Sequence, residues 1–240
     1  MAIKEIEYDG FKYRLSYEIS GQKSGKNILI LHGWGANKDL MKSCFDKYLS
    51  EYNCLYLDLP GFGLSSELKT PLKSSDYALI VSKFNELLGI EFDIIMGHSF
   101  GGKVATLLSP RNLILLSSAG IVKNKRFSVR FKIAIFKILK RFGLGKFWRV
   151  FASKDVNEMS KIMYETLKNV VDEDFSSIFA NLKSNSLIFW GIGDEATPLS
   201  SGEKIASLIK NSKFYPLEGD HFFFLNHGEF IAQTISKELI

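Results

Sequence analysis

The sequence predicts an α/β protein in which a doubly wound, mostly parallel sheet carries a helical insertion. Short apolar runs recur along the chain, and each ends in turn residues. Helix-like stretches lie between these runs, and at one place roughly 70 residues separate two of them, far more than a crossover needs. Apolar runs this short suit parallel strands buried on both faces. Their alternation with helices indicates a layered α/β sheet with right-handed crossovers.

The elements follow in order along the chain. Two β-like runs, 3–7 and 11–19, open it, and the turn pair Asp9-Gly10 predicts that they form a hairpin. Further strands are predicted at 27–31, 54–57, 92–96, 113–116, 187–190 and 213–216. Helices are predicted at 74–88, 101–108, 200–209 and 227–239.

Residues 121–172 interrupt this alternation, and we expect them to form a helical lid over one end of the sheet. Residues 1–120 and 173–240 then form the core domain. The insertion is basic, because 121–171 holds 13 Lys or Arg and three acidic residues, a net charge of +10. The whole chain carries +5, so the remainder carries −5.

This segregated charge argues against uniform nucleic-acid binding. Three interpretations of the basic insertion stay open. In the first, it is a solvated surface. In the second, it is a gate that attracts anionic substrates or an acidic carrier protein. In the third, it is a helix that contacts a membrane surface.

Composition excludes several classes of protein. With 46% hydrophobic and 24% charged residues, the chain is globular rather than disordered. Its longest charge-free stretch has 11 residues, whereas a membrane-spanning helix needs about 20, and no apolar secretory signal follows the start. Two cysteines, Cys44 and Cys54, do not make a disulfide scaffold. We therefore expect a cytoplasmic protein with reduced thiols, no cofactor and no metal.

A serine lies in the turn between a predicted strand and a predicted helix. Residues 97–102 read Gly-His-Ser-Phe-Gly-Gly, which places Ser99 at the centre of a G-x-S-x-G pattern. The flanking glycines remove Cβ atoms that would clash in so sharp a turn, and the helix dipole points at the serine. Residues 97–103 also fit a phosphate-binding loop, but Val104 replaces its magnesium-binding Ser or Thr. We therefore predict a nucleophile, and expect Lys103 to be a solvated helix residue.

A nucleophilic serine needs a base, and the chain has four histidines. His221 follows the last predicted strand, at the same sheet edge as the serine, and is the predicted base. His32 belongs to a glycine turn and His98 adjoins the nucleophile, so we expect both to be structural. His227 opens the last predicted helix.

The base in turn needs an acid to orient it. Asp194 lies in the loop after the strand at 187–190, and is the predicted acid, with Glu195 as the alternative. The loop after the strand at 113–116 holds no acid. Asp220 adjoins the predicted base in sequence but would point away from its ring.

Residues 32–35 read His-Gly-Trp-Gly and follow a predicted strand. Glycines there would let the backbone N–H of Trp34 approach a substrate carbonyl, together with the N–H of Phe100. These two groups are the predicted oxyanion hole.

Taken together, the motifs resemble those of the α/β-hydrolase superfamily, in its lid-bearing serine-hydrolase branch. The matching segments are 32–35, 58–65, 97–102, 190–194 and 219–221, in the family's order. The resemblance implies that Ser99, Asp194 and His221 form a catalytic triad. It also implies that Trp34 and Phe100 supply oxyanion N–H groups, and that the 58–65 motif shapes a turn beneath the site.

The function implied is a serine hydrolase that acts on a small to medium, largely apolar carboxylic ester or thioester. A serine nucleophile excludes the dehalogenase and epoxide-hydrolase branches, which use Asp. Hydrolysis of C–C bonds in dienoate ring-cleavage products is an alternative, although such enzymes usually carry Asn where His98 stands. A non-catalytic ligand-binding protein on the same fold is the alternative from another class.

Overall fold

The computed structural model describes residues 1–23, 25–122 and 160–239 of the chain. Its strands are β1 (Ala2–Tyr8), β2 (Phe11–Gly21), β3 (Asn27–Leu31), β4 (Asn53–Leu57), β5 (Ile94–His98), β6 (Asn112–Leu116), β7 (Asn185–Gly191) and β8 (Ser212–Leu217). Its helices are α1 (Lys38–Phe45), α2 (Ser74–Leu88), α3 (Phe100–Leu107), α4 (Lys161–Val171), α5 (Ser176–Asn181), α6 (Leu199–Leu208) and α7 (Phe224–Leu239).

The described strands form one eight-stranded sheet in the order β1-β2-β4-β3-β5-β6-β7-β8. Strands β1, β2 and β4 pair antiparallel, and every pairing from β4 through β8 is parallel. The predicted fold class, a doubly wound and mostly parallel α/β sheet, is therefore confirmed. Because the parallel strands share one direction, their carboxyl ends meet at a single edge, where open α/β sheets bind ligands.

Side chains alternate between two cores along each central strand. In β3, Leu29 and Leu31 pack into the core on one face of the sheet, whereas Ile28 and Ile30 pack into the core on the other. Helices α2 to α6 contribute to the first core and helices α1 and α7 to the second. All four β3 side chains are completely buried, which explains why such strands read as continuous apolar runs.

The predicted hairpin is present, with Asp9 and Gly10 at positive φ in its turn. Helix α1 was not predicted, and β5 runs two residues further than expected, up to the serine turn. Of the predicted lid, the structure describes α4, which is helical as expected, and the predictions on residues 123–159 lie outside the described residues. Among the helices described, none is both long and apolar enough to cross a membrane.

Candidate active site

Ser99 lies between the last residue of β5 and the first residue of α3, in a strained turn. Its backbone angles are φ 51° and ψ −113°, a positive φ that L side chains rarely adopt. A Cβ atom on Gly97 would come within 2.6 Å of Gly102 N, and one on Gly101 within 2.5 Å of His32 O. Only glycine fits at these two positions, as the sequence pattern indicates.

The backbone of this turn is fixed from three directions. Ser99 N–H donates to Leu116 O at 3.0 Å, and Ser99 O accepts hydrogen bonds from Gly102 N–H and Ala119 N–H, each at 3.0 Å. The next residue, Phe100, starts α3, and the first N–H groups of a helix have no partner within it. The strained turn therefore presents backbone N–H donors that the helix itself does not use, beside a serine that β6 and its following loop hold in place.

The loop after β3 approaches this turn closely. A Cβ atom on Gly33 would lie 2.6 Å from His98 Nδ1 and 3.2 Å from Ser99 Cβ, so the loop passes against the turn with no space for a side chain. The next residue, Trp34, packs edge-to-face on Phe100 with ring centroids 5.5 Å apart. The structure thus brings together the two residues whose N–H groups the sequence predicts for an oxyanion hole.

A buried turn motif supports that loop from below. Both carboxylate oxygens of Asp58 are hydrogen-bonded to Lys38: Oδ1 accepts the backbone N–H at 2.7 Å and Oδ2 accepts Nζ at 2.8 Å. Oδ2 also accepts Leu64 N–H at 3.0 Å. A Cβ on Gly63, at φ 55°, would collide with this carboxylate. These contacts agree with the structural role expected for residues 58–65.

His221 and Asp194 form a buried pair in the loops after β8 and β7. His221 Nδ1 lies 2.8 Å from Asp194 Oδ2, and the two residues are only 3% and 5% exposed. The Oδ1 atom of Asp194 accepts the backbone N–H groups of Ala196 and Thr197, each at 2.8 Å. A carboxylate is an acceptor only, so His221 Nδ1 carries the proton, and Nε2 carries the lone pair that a base needs.

The electrostatics of the pair favour an ionised acid. Burial by itself would raise the pKa of Asp194, but attraction to His221 and the hydrogen bonds from His221 and Thr197 lower the pKa below its usual range. Among the described residues, Ser99 Oγ makes no hydrogen bond to His221, and such bonds often tighten only when substrate binds.

The two other acids considered from the sequence are placed differently. Glu195 is exposed, whereas Asp194 contacts the histidine. Asp220 Oδ1 accepts the N–H of Phe222 at 2.8 Å, so it caps its own turn, as expected from its position beside the base.

Two further histidines are completely or almost completely buried and make backbone contacts. His32 Nε2 accepts Leu59 N–H at 3.0 Å, which leaves the proton on Nδ1, where it is donated to Gly33 O at 2.8 Å. Burial lowers the pKa of His32 and keeps the ring neutral. These bonds tie the oxyanion loop to the turn beneath it, which is a structural role.

His98 packs on the predicted base, with ring centroids 4.7 Å apart. Its Nε2 donates to the carbonyl oxygen of His221 at 3.0 Å, and its buried Nδ1 has no partner among the described residues. Burial, together with the neighbouring His221, lowers the pKa of His98 well below its usual range. The ring is therefore neutral and holds the backbone of the His221 loop.

The prediction that Lys103 is solvated is wrong, because this lysine is only 1% exposed. Its ammonium group donates to Val170 O and, at 3.2 Å, to Glu173 O. It also lies 3.0 Å from Glu173 Oε2 and 4.4 Å from the centre of the Phe175 ring. The segment that supplies these partners is about 70 residues away in sequence, which a local pattern does not reveal. A lysine so engaged is not available to bind phosphate.

A cavity adjoins the predicted oxyanion hole. Its apolar lining includes Trp34, Phe100, and Leu167 and Val170 of α4. Further apolar lining comes from Ile121, Val122, Ala196 and Pro198, and polar lining comes from Lys103, Ser118, Asp172, Thr197 and Ser201. Apolar groups make up most of the walls. The described residues contain no cluster of three or more potential metal ligands.

Thr197 is the residue that the sequence analysis missed. It is 6% exposed, and its hydroxyl lies 2.7 Å from Asp194 Oδ2 and 3.3 Å from His221 Nδ1. The available signal was a hydroxyl residue three positions after an acid at the end of a strand. This spacing lets the acid accept a hydrogen bond from the backbone N–H of the hydroxyl residue.

Residues 26–119 match the protein family described as alpha/beta hydrolase fold. The chain is 32% identical over 108 residues to the dihydrolipoyllysine-residue acetyltransferase component of the acetoin cleaving system of Cupriavidus necator, covering 45% of this chain and 28% of that protein. It is 36% identical over 94 residues to a pimeloyl-[acyl-carrier protein] methyl ester esterase of a Shewanella species, covering 39% and 33%. The chain thus spans about a third of the length of these curated relatives.

The crystal structure of the enol-lactonase from Burkholderia xenovorans superposes on the chain with a TM-score of 0.80. The match covers 98% of each chain at 18% sequence identity, which establishes a common fold.

Proposed function

We propose that this chain, a member of the α/β-hydrolase superfamily, is a serine hydrolase of small to medium, largely apolar carboxylic esters or thioesters. The buried Asp194–His221 pair carries the proposal. It lies at the same sheet edge as a serine held at positive φ, with a loop of the oxyanion type packed against that serine. A purely structural histidine–carboxylate pair would not require the strained serine turn beside it.

In the proposed first step, Ser99 Oγ attacks the acyl carbon while His221 Nε2 takes the hydroxyl proton. Asp194 holds the imidazole with Nδ1 protonated and stabilises the imidazolium that forms. The backbone N–H groups of Trp34 and Phe100 donate to the oxyanion of the tetrahedral intermediate. His221 then gives its proton to the leaving alcohol or thiol as the carbon–oxygen or carbon–sulfur bond breaks.

Water completes the cycle. It attacks the acyl-enzyme while His221 accepts its proton, and collapse of the second tetrahedral intermediate returns that proton to Ser99 and releases the acid. No metal or redox cofactor takes part in these steps.

The mainly apolar cavity supports an apolar acyl or alcohol group as the bound portion of the substrate. The esterase among the curated relatives supports ester chemistry. Because each methylene in an apolar pocket changes selectivity by about 1–3 kcal/mol, we expect graded rather than absolute selection by chain length.

Active-site labelling tests the proposal most directly. A fluorophosphonate should modify wild type at Ser99, located by peptide mass mapping, and should leave Ser99→Ala unmodified. Unlabelled wild type with an intact fold would favour the non-catalytic binding protein.

A panel of p-nitrophenyl esters from acetate to decanoate, at low and high salt, then measures chain-length preference. Preference for short neutral esters with no salt effect would mean that the basic residues of 121–171 are a solvated surface. Turnover of a dienoate ring-cleavage product alone would replace ester hydrolysis by C–C bond hydrolysis.

A further inference from the structure

Thr197 occupies a junction between three parts of the proposed site. It follows β7 and precedes α6, and its side-chain oxygen lies 2.7 Å from Asp194 Oδ2 and 3.1 Å from Ser117 O. The same oxygen lies 3.3 Å from His221 Nδ1. We propose that Thr197 is a positioning residue that fixes the orientation of the Asp194 carboxylate and, through it, the proton on His221 Nδ1.

A count of protons and lone pairs supports this role. Thr197 has a single hydroxyl proton, and both Asp194 Oδ2 and Ser117 O are acceptors only. The shorter distance and the negative charge direct that proton to Asp194, since hydrogen bonds to an ionised acceptor are the stronger ones. The threonine oxygen then has lone pairs towards His221 Nδ1, so it accepts weakly from the same N–H that Asp194 accepts.

With this bond, both oxygens of Asp194 are fully engaged. Oδ1 accepts the N–H groups of Ala196 and Thr197, and Oδ2 accepts the Thr197 hydroxyl and His221 Nδ1–H. Four donors occupy the four lone-pair positions of the carboxylate, so any rotation of the group would break at least one of these hydrogen bonds. Thr197 supplies two of the four, one from its backbone and one from its side chain.

Thr197 also connects the acid to the loop that holds the nucleophile. Its oxygen approaches Ser117 O, and Ser117 begins the loop after β6 with a positive φ of 42°. Two residues later in that loop, Ala119 N–H donates to Ser99 O. The threonine side chain therefore lies in contact with both the acid loop and the segment that fixes the serine turn, while its proton is donated to Asp194.

This inference rests on the proposed function, since it concerns the same triad. Removing only the hydroxyl should lower kcat about tenfold, because the dyad loses one charge-assisted hydrogen bond, while KM changes less than about twofold. The loss falls on kcat because the hydroxyl fixes the pair that moves the proton, whereas a substitution that merely disturbs the loop would change KM as well.

The test compares Thr197→Val, which keeps the shape and removes the hydroxyl, with Thr197→Ser, which keeps the hydroxyl. Steady-state kcat and KM for a p-nitrophenyl ester are measured for both variants and wild type. We expect Thr197→Ser to retain most of kcat, and Thr197→Val to lose about tenfold in kcat while its KM stays within about twofold of wild type. If Thr197→Val does not fold, Thr197→Ala carries the same prediction.

Two results would overturn the role. One is a hydroxyl-free variant with the wild-type kcat. The other is an equal loss of kcat in both variants, which would mean that the shape of the side chain matters and the hydroxyl does not. Fluorophosphonate labelling of wild type at Ser99 separates this failure from failure of the proposed function, because labelling tests the nucleophile and does not depend on Thr197.

Discussion

The contribution of Lys103 to the stability of this protein should rise with pH in the alkaline range. The lysine is buried against the carbonyl groups of Val170 and Glu173 and the carboxylate of Glu173. Desolvation outweighs the attraction of Glu173 and lowers the pKa of Lys103 from its ordinary 10.5 to about 8. In the unfolded chain the lysine regains its ordinary pKa.

The sign and size of the effect follow from these two values. Between pH 8 and 10.5 the folded protein has released the Lys103 proton while the unfolded chain still holds it. The unfolded state binds more protons at this lysine, so the contribution of Lys103 to the free energy of unfolding increases with pH across this window and is constant below it. The difference between 10.5 and about 8 corresponds to a total rise of about 3 kcal/mol.

Urea unfolding from pH 7 to 11 measures this rise, with Lys103→Met as the reference that cannot titrate. Burial raises the pKa of the thiols of Cys44 and Cys54 from 9.0 to about 12 and also raises the pKa of Tyr56 and Tyr77, so the stability that these four groups contribute is lost progressively above about pH 9. This loss occurs in both proteins and cancels in their difference. Parallel curves for wild type and Lys103→Met between pH 8 and 10.5 would refute the reasoning.

Two further substitutions test the site and its turn. Asp194→Asn should lower kcat about 10³- to 10⁴-fold. Two backbone N–H groups donate to Oδ1, so the amide oxygen of Asn takes that position and its NH₂ group faces His221 Nδ1. The histidine then adopts the wrong tautomer. Asp220→Asn is the matched control and should retain activity, and comparable loss in both would contradict the assignment. Gly97→Ala should lower the free energy of unfolding by about 2–3 kcal/mol or more, because its Cβ would collide with the backbone of α3. Gly89→Ala, with nothing within 4 Å, should cost only about 1–2 kcal/mol for its positive φ, and equal melting temperatures for the two would argue against the collision.

Local patterns predicted most of the sheet because its strands are buried on both faces. Such strands are continuous apolar runs whose ends are marked by turn residues, so their limits were placed within about two residues. Helix α1 was missed because its sequence, Lys-Asp-Leu-Met-Lys-Ser-Cys-Phe, is polar over much of its length. The one local signal was Asn37, whose side chain accepts Leu40 N–H at the start of the helix.

The site residues that the sequence revealed depend on local geometry, whereas those that it did not reveal depend on distant parts of the chain. Ser99 and its glycines are fixed by the geometry of one turn, so a short motif reveals them. Lys103 and Thr197 take their roles from partners in other loops, and the roles became visible only when those loops were brought together.

Buried charges in this fold serve to position loops more than to add stability. Removing an ion pair from water costs about as much as its attraction returns, so the Lys38–Asp58 pair, with side chains at most 2% exposed, contributes little net stability by itself. The pair instead positions a loop. Asp58 shapes a turn, and the N–H of the next residue, Leu59, donates to His32. His32 in turn donates to Gly33 O. Through these bonds the position of the Trp34 N–H depends on a carboxylate at the end of the neighbouring strand, β4. A polar chain of this kind has few alternative arrangements that leave every buried group paired, and it therefore specifies one loop conformation where apolar packing would allow several.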